Sequence, residues 1–222
     1  MKKQVILSAT VVGLLNHFIF APLPVNAASA MSVKNIREIE IDSNHANITV
    51  KQTSSKNLKI KSGNVWLKKV GNQIEIDQKT KSKKIEILIP KKYKGRLSVS
   101  SEKGDIKIVN INSKLVDIEN ETGKITATNS SLGGEINNEN GNINLSLNSV
   151  KDFLSIENER AKVELNVKTG YQYQIESENG TVTLPTDAKS STNSSTRKNG
   201  TIGTDPQGTV FIESEFGQIT LD

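Results

Sequence analysis

The chain of 222 residues contains no cysteine, two histidines, one tryptophan and only 4% aromatic residues. Without cysteine there is no disulfide framework, no lipid-bearing thiol, no thiolate zinc knuckle and no thiol nucleophile. With so few aromatics, the core has to be built from Ile, Leu and Val. No stretch after residue 30 sustains an apolar period of 3.6 residues, so no amphipathic helix is expected. No run there reaches the ~20 apolar residues that span a bilayer. What is abundant is Asn, Ser, Thr and Gly, which suits many short strands and turns. Catalysis also lacks material. Once the first thirty residues are set aside, a Ser-His-Asp triad could form only around His45, which lies in a polar turn between Asn44 and Ala46, and no nucleophile elbow is present. Neither an enzyme nor a cofactor is expected.

The first thirty residues read as a secretory signal peptide. Lys2 and Lys3 form a positive start, Val5 to Phe20 is an apolar stretch broken by Asn16 and His17, and Pro22 and Pro24 end it. Small residues then offer cleavage after Ala27 or after Ala30. Removal lowers the formal charge from +5 to +3, since two lysines and no acids are lost.

Aligned to itself, the chain repeats. Ile175–Leu184 reads IESENGTVTL and Ile212–Leu221 reads IESEFGQITL; Ile118–Ala127, Ile136–Leu145, Ile156–Leu165 and Val99–Ile108 follow the same pattern. Its pivot is a small residue: Gly104, Gly123, Gly141, Ala161, Gly180 and Gly217, the first five separated by 19, 18, 20 and 19 residues. Weaker copies put Ala46 at the pivot, then Gly63 with Val65 and Leu67, then Lys83 with Ile85 and Ile87; Gly200 with Ile202 divides the last interval, either as a rung or as part of an exposed loop. Before the pivot, apolar residues fall at minus seven and minus five. After it, they fall at plus two and plus four. Strict alternation would place these two sets on opposite faces. A corner at the small residue turns both inward, and glycine supplies the backbone freedom for it.

This predicts an all-β fold, a parallel β-solenoid (β-helix) with about 19 residues per rung, each rung burying its apolar face on the next. Parallel connections favour a right-handed coil. Ten rungs at ~4.8 Å would make a rod of about 45–50 Å. Ile106, Ile125, Ile143, Val163, Val182 and Ile219 should form the most regular inward column, and Asn120, Asn138 and Asn158 an amide ladder. The expected organisation is a signal peptide over 1–30, degenerate basic rungs over 31–96, and regular rungs over 97–222 with a polar loop near 186–199.

The repeated aliphatic-x-Ser/Asn-x-x-Gly-x-Ile/Val-x-Leu units resemble a family of β-strand-repeat proteins of unknown function called putative adhesins. Gly71-Asn72-Gln73-Ile74-Glu75-Ile76 and Ile85-Glu86-Ile87-Leu88-Ile89-Pro90 are similar to strands that precede that family's regular repeats. The resemblance covers roughly residues 36–222. It implies a β-solenoid in the bacterial cell envelope, with some relatives tied to envelope stress in Gram-positive bacteria, and it implies no catalytic residues. The Gly-Asp usual at the corner occurs once, as Gly104-Asp105.

Two polar features are candidates for function. Glu102, Glu121, Glu139, Glu159, Glu178 and Glu215 recur two residues before the pivot, on the solvent side. They form either a ladder of weak divalent-cation sites or a solvated face relieved by Lys103, Lys124, Arg160 and Lys162. The second feature is charge along the chain: Lys51 to Arg96 holds fourteen basic residues and three acids, whereas Leu97 to Asp222 holds eleven and eighteen. Lys68, Lys69, Lys81, Lys83, Lys84, Lys91 and Lys92 are the candidate patch for an anionic partner. Trp66, Tyr93, Tyr171 and Tyr173 are weighed as sugar platforms, with core packing favoured for Tyr173. The partners considered are an anionic cell-wall polymer, the membrane surface and an envelope protein; nucleic acid is not expected for an exported chain. The expected function is an exported, non-catalytic surface module, an adhesin or wall-binding protein. The alternative is an envelope-stress regulator acting through protein or membrane contacts, and a polysaccharide-active β-helix enzyme is third. The last clear repeat ends at Leu221 and no helix is foreseen over either end, so uncapped rungs and end-to-end self-association are expected.

Overall fold

Alternation dictates the strands. In Glu38–Ser43 the side chains of Ile39, Ile41 and Ser43 are buried and those between them are not. The same period runs through Arg96–Lys103, Val163–Val167 and Gly208–Leu221. An extended chain of this kind has one face to bury and can bury it only against other strands. In the computed structural model, which describes residues 23–25, 30–78, 83–194 and 196–222, eighteen strands join in one open, β-solenoid-like sheet without helices among the described residues. Most of the expected signal peptide (1–22 and 26–29) and Lys81 lie outside the described residues.

The rungs make two long parallel ladders joined at the corner residues, and a short third one links 112–113, 131–132 and 149–150 between the trailing strand of one rung and the leading strand of the next. The leading ladder, before the corner, runs in space through Gln73–Gln78, Glu38–Ser43 and Arg96–Lys103, then 116–122, 134–140, 154–160, 208–216 and 172–179. The trailing ladder runs through Lys84–Pro90, Asn47–Thr53, Ile106–Val109, then 125–128, 143–147, 163–167, 219–221 and 181–183. Ile106 pairs with Ile125, Ile125 with Ile143 and Ile143 with Val163, so the inward column forms as expected. Ile48 extends it at one end, and Ile219 with Val182 at the other.

Three expectations need correction. First, spatial order departs from chain order at both ends. The rung 38–53 lies between 73–90 and 96–109, and the last rung, 208–221, lies between 154–165 and 172–183. A rung moved one place inward has a neighbour on both edges, where an end rung has one. Second, the copies around Gly63 and Gly200 are not parallel rungs. Val65–Val70 runs antiparallel to Gln73–Gln78, and Arg197–Ile202 antiparallel to Tyr171–Glu176. The stretch near 186–199 is therefore not simply a loop, because Lys189–Asn193 pairs antiparallel with Lys198–Thr201. Polar residues suit this hairpin, since it lies at the outer edge of the sheet and is held by backbone bonds. Third, the parallel rungs expected to be open at the ends are largely covered by antiparallel strands: Asn57–Ser62 lies against Lys84–Pro90, Val65–Val70 against Gln73–Gln78 and Arg197–Ile202 against Tyr171–Glu176, while 181–183 is paired on one edge only among the described residues.

Inside, apolar columns are joined by one polar column three residues before the corner. Ser43, Ser101, Asn120, Asn138, Asn158, Ser214 and Ser177 follow one another in space, and all are buried. The asparagines do not bond to each other as a ladder. The Asn120 Nδ2 donates to the Gly104 carbonyl at 3.1 Å, the Asn138 Nδ2 to the Gly123 and Gly141 carbonyls at 3.1 and 2.7 Å, and the Asn158 Nδ2 to the Ala161 carbonyl at 2.9 Å. The amides thus pin the corners. Each such bond contributes about 1 kcal/mol net, and the corner carbonyls it satisfies would be costly to leave unpaired.

Candidate functional site

The parity that buries every second residue sends the others outward, and the two ladders send out different charges. The eight parallel strand segments of the leading ladder carry seventeen carboxylates and three cations (Arg96, Lys103 and Arg160). The carboxylates are all exposed or half-buried and stand at outward positions. On the trailing ladder and its flanking strand Asn57–Ser62 the balance reverses: Lys51, Lys59, Lys61, Lys84 and Lys107 against Glu86 and Glu164. Charge therefore differs between the two ladders at one end of the stack, over residues 38–61 and 84–109, where all five of these lysines stand; the trailing segments 125–128, 143–147, 163–167, 181–183 and 219–221 carry no Lys or Arg. Glu38, Glu40, Asp42, Glu75 and Asp77 extend the acidic face into the half of the chain that is basic by count.

All six expected glutamates are exposed and stand in one column, in the spatial order Glu102, Glu121, Glu139, Glu159, Glu215, Glu178. The first five line an open groove of about 460 Å³, with Glu119, Glu157 and Glu213 beside them and Asn120, Asn138 and Asn158 below. Among the described residues, no three Asp, Glu or His side chains converge to hold a metal ion. Parallel stacking explains this: it sets equivalent carboxylates side by side along the rod and does not gather them around a point.

Crowding on the acidic face shows in proton affinity. Burial raises the carboxyl of Glu119 above its ordinary value, and Asp117 and Glu135 push it further. Burial and Asp42 do the same at Glu40 and Asp77. A carboxyl whose folded pKa is raised favours folding while protonated and opposes it as pH rises through that value. The Glu119→Gln variant should therefore melt higher than the parent at pH 7, by no more than about 2 °C because exposed charges are screened. The gain should vanish as pH falls below the ordinary glutamate value, about 4.3. Melting curves across pH 4–8 test this, and a gain that grew toward low pH would contradict it.

The trailing ladder has a different centre. Glu86 is buried, and Lys51 and Lys61 approach its carboxylate at 3.0 and 3.2 Å, with Lys84 at 3.7 Å. The hydrogen bond from Lys51 outweighs burial and holds the Glu86 carboxyl below its usual range. Three lysines around one carboxylate leave a surplus of positive charge there.

The candidate lysines do not form one patch. Lys68 faces the acidic side, where it pairs with Glu75 at 3.2 Å, whereas Lys84 belongs to the Glu86 cluster. Lys69, Lys83, Lys91 and Lys92 are exposed at strand ends and turns. The basic surface that does assemble includes Lys51, Lys61 and Lys107, which the run of lysines between 68 and 92 did not single out. Their signal was parity, readable once the rung register was known. Tyr93, Tyr171 and Tyr173 are buried and so are not sugar platforms; Trp66 is half-buried. Among the described residues the exposed aromatics are Phe153, Phe211 and Phe216, and the first two meet edge to face at 5.9 Å. The outward position of Phe211, six residues before Gly217, was the available signal. His45 is exposed, with its backbone N–H donating to Gln78.

A family model described as Toastrack DUF4097 matches residues 36–132 and 92–222. The chain is similar in structure to a putative cell adhesion protein from Clostridium sporogenes, at 12% identity and a TM-score of 0.51, over 90% of this chain and 99% of that one. A putative adhesin from Bacteroides fragilis aligns over 88% and 96% of the two chains, at 13% identity and a TM-score of 0.37. No curated protein matches the chain significantly.

Proposed function

The chain belongs to the Toastrack DUF4097 family, and from that premise we propose that it is a non-catalytic rod of the cell envelope whose lysine face docks on an anionic polymer while its acidic face points away. The observation that carries this reading is the segregation of charge between the two ladders. A rod that carries lysines on one ladder and carboxylates on the other at one of its ends is drawn to an anionic surface by that end in one orientation and repelled in the other. The similarity to a putative cell adhesion protein supports a surface role only through the fold. Export with cleavage near Ala27 or Ala30, a Gram-positive envelope, a right-handed coil and about 19 residues per rung belong to the same proposal. The rung length is supported by the pairings that link Ile106, Ile125, Ile143 and Val163.

The test is sedimentation with purified, protein-free cell wall. The variant K51Q, K61Q, K84Q and K107Q, made together with E86Q so that no buried carboxylate is left unpaired, should lose at least tenfold in affinity at low salt, and the parent should lose most of its binding as ionic strength rises. Equal binding by parent and variant would overturn the reading. The alternative, a regulator acting through protein contacts, is favoured by one observation, the exposed Phe153–Phe211 ring pair.

A further inference from the structure

The last rung fills a place that its own chain does not reserve for it. Val167 and Tyr171 are joined by Lys168, Thr169 and Gly170, yet this link passes over two strand spacings, from 163–167 to 172–179, and leaves a slot between them. Residues 208–221 occupy the slot, in parallel register with 152–165 on one edge and 172–183 on the other. Val210, Ile212, Ser214, Ile219 and Leu221 are buried there. Ile175–Leu184 and Ile212–Leu221 are identical at seven of ten positions, and Val182 and Ile219 differ by one methylene. Either segment therefore satisfies the edge of 154–165. The earlier one is made first and is tethered closer, so the inserted strand has to enter after, or in competition with, a near copy of itself.

The tether of the inserted strand is also suited to release. Gly203, Thr204, Asp205, Pro206 and Gln207 are all exposed. The ladder bonds and buried side chains of 208–221 are the same whichever chain supplies the strand, so exchange between chains alters only the tether. We propose that the slot between 154–165 and 172–183 is a strand-acceptor site, and that its occupant in trans is residues 208–221 of a second copy. Recognition is strand addition: backbone bonds on both edges supply affinity, and the inward Val-x-Ile-x-Ser-x-x-Gly-x-Ile-x-Leu pattern supplies selectivity. Two copies exchanging strands would form a closed pair. This inference does not depend on the wall-binding reading.

The absence of cysteine makes the test clean. Arg160 and Phe216 are register partners across the slot edge, and both are exposed. Adjacent strands lie ~4.8 Å apart, within the span a disulfide bridges. Full-length R160C and F216C chains are unfolded together, refolded under oxidising conditions at rising concentration, and compared with R160C mixed with K92C, whose thiol lies on an exposed turn at the other end. Strand exchange predicts a mixed R160C–F216C disulfide of twice the chain mass, increasing with concentration and well above the K92C pairing. It also predicts that the double variant, refolded dilute, closes the bond within one chain. If the double variant closes but the mixed disulfide never exceeds the K92C level, exchange is excluded. If the double variant fails to close, the slot is not occupied as described and the proposal falls.

Discussion

Replacing Gly141 with valine is expected to lower the melting temperature by about 10 °C or more, which corresponds to a loss of roughly 4 kcal/mol or above for a chain of this size. Two costs coincide. Gly141 has φ +152°, a conformation that L side chains rarely adopt, and a Cβ placed there would lie 1.9 Å from the Gly123 carbonyl oxygen. That oxygen cannot retreat freely, because it accepts the Asn138 amide. The same geometry predicts an effect of opposite sign at Ala161, which holds a Cβ at φ +142°. Such strain costs about 1–3 kcal/mol, and the extra freedom glycine gives the unfolded chain costs about 0.4–1 kcal/mol. Ala161→Gly should therefore stabilise by about 1 kcal/mol. Thermal melts of both variants check the pair. A G141V protein melting within a few degrees of the parent, or an A161G protein melting below it, would show that the corners are not under this constraint.

The Ile212→Ala variant should cost about 3 kcal/mol, near the middle of the range for emptying a fully packed isoleucine site. The topology sets this size. At the end of a rod wound in chain order, residue 212 would have a strand on one side only and its neighbours could relax into the space. In the inserted rung it lies between Ile156 and Ile175, all three almost fully buried. Ile202, in the antiparallel strand near the end of the sheet, is 6% exposed and is the natural comparison. I202A should cost about half as much, since a less enclosed site collapses more easily. Urea denaturation of the two variants decides the matter, and equal costs would contradict the insertion of the last rung.

Much of the fold was legible because a rung is a local object. The small residue at the pivot, the aliphatic pairs on either side and the polar residue three places before it lie within about a dozen residues of each other. Their spacing reports the corner directly. The six glutamates were legible for the same reason: each stands next to a residue whose direction was already known. The alanine at position 161 was also readable as a corner, although its strain required a backbone angle. The surface was less accessible. Counting Lys51–Arg96 as a basic half mixed Lys68, which faces Glu75, with Lys84, which faces Glu86, because the count ignores parity.

The sequence by itself determined the all-β class, the repeat, the small-residue corner and which residues of each rung turn inward. These depend on interactions within a rung and on the period-two geometry of an extended chain. Only the tertiary structure decided the order in which the rungs stack, the antiparallel strands that cover most of the two ends and the difference in charge between the two ladders. The physical reason is degeneracy. Nearly identical rungs offer nearly identical edges, so local pattern cannot rank 175–184 above 212–221 as the neighbour of 156–165. That choice is made by what each placement leaves unpaired, a property of the whole sheet.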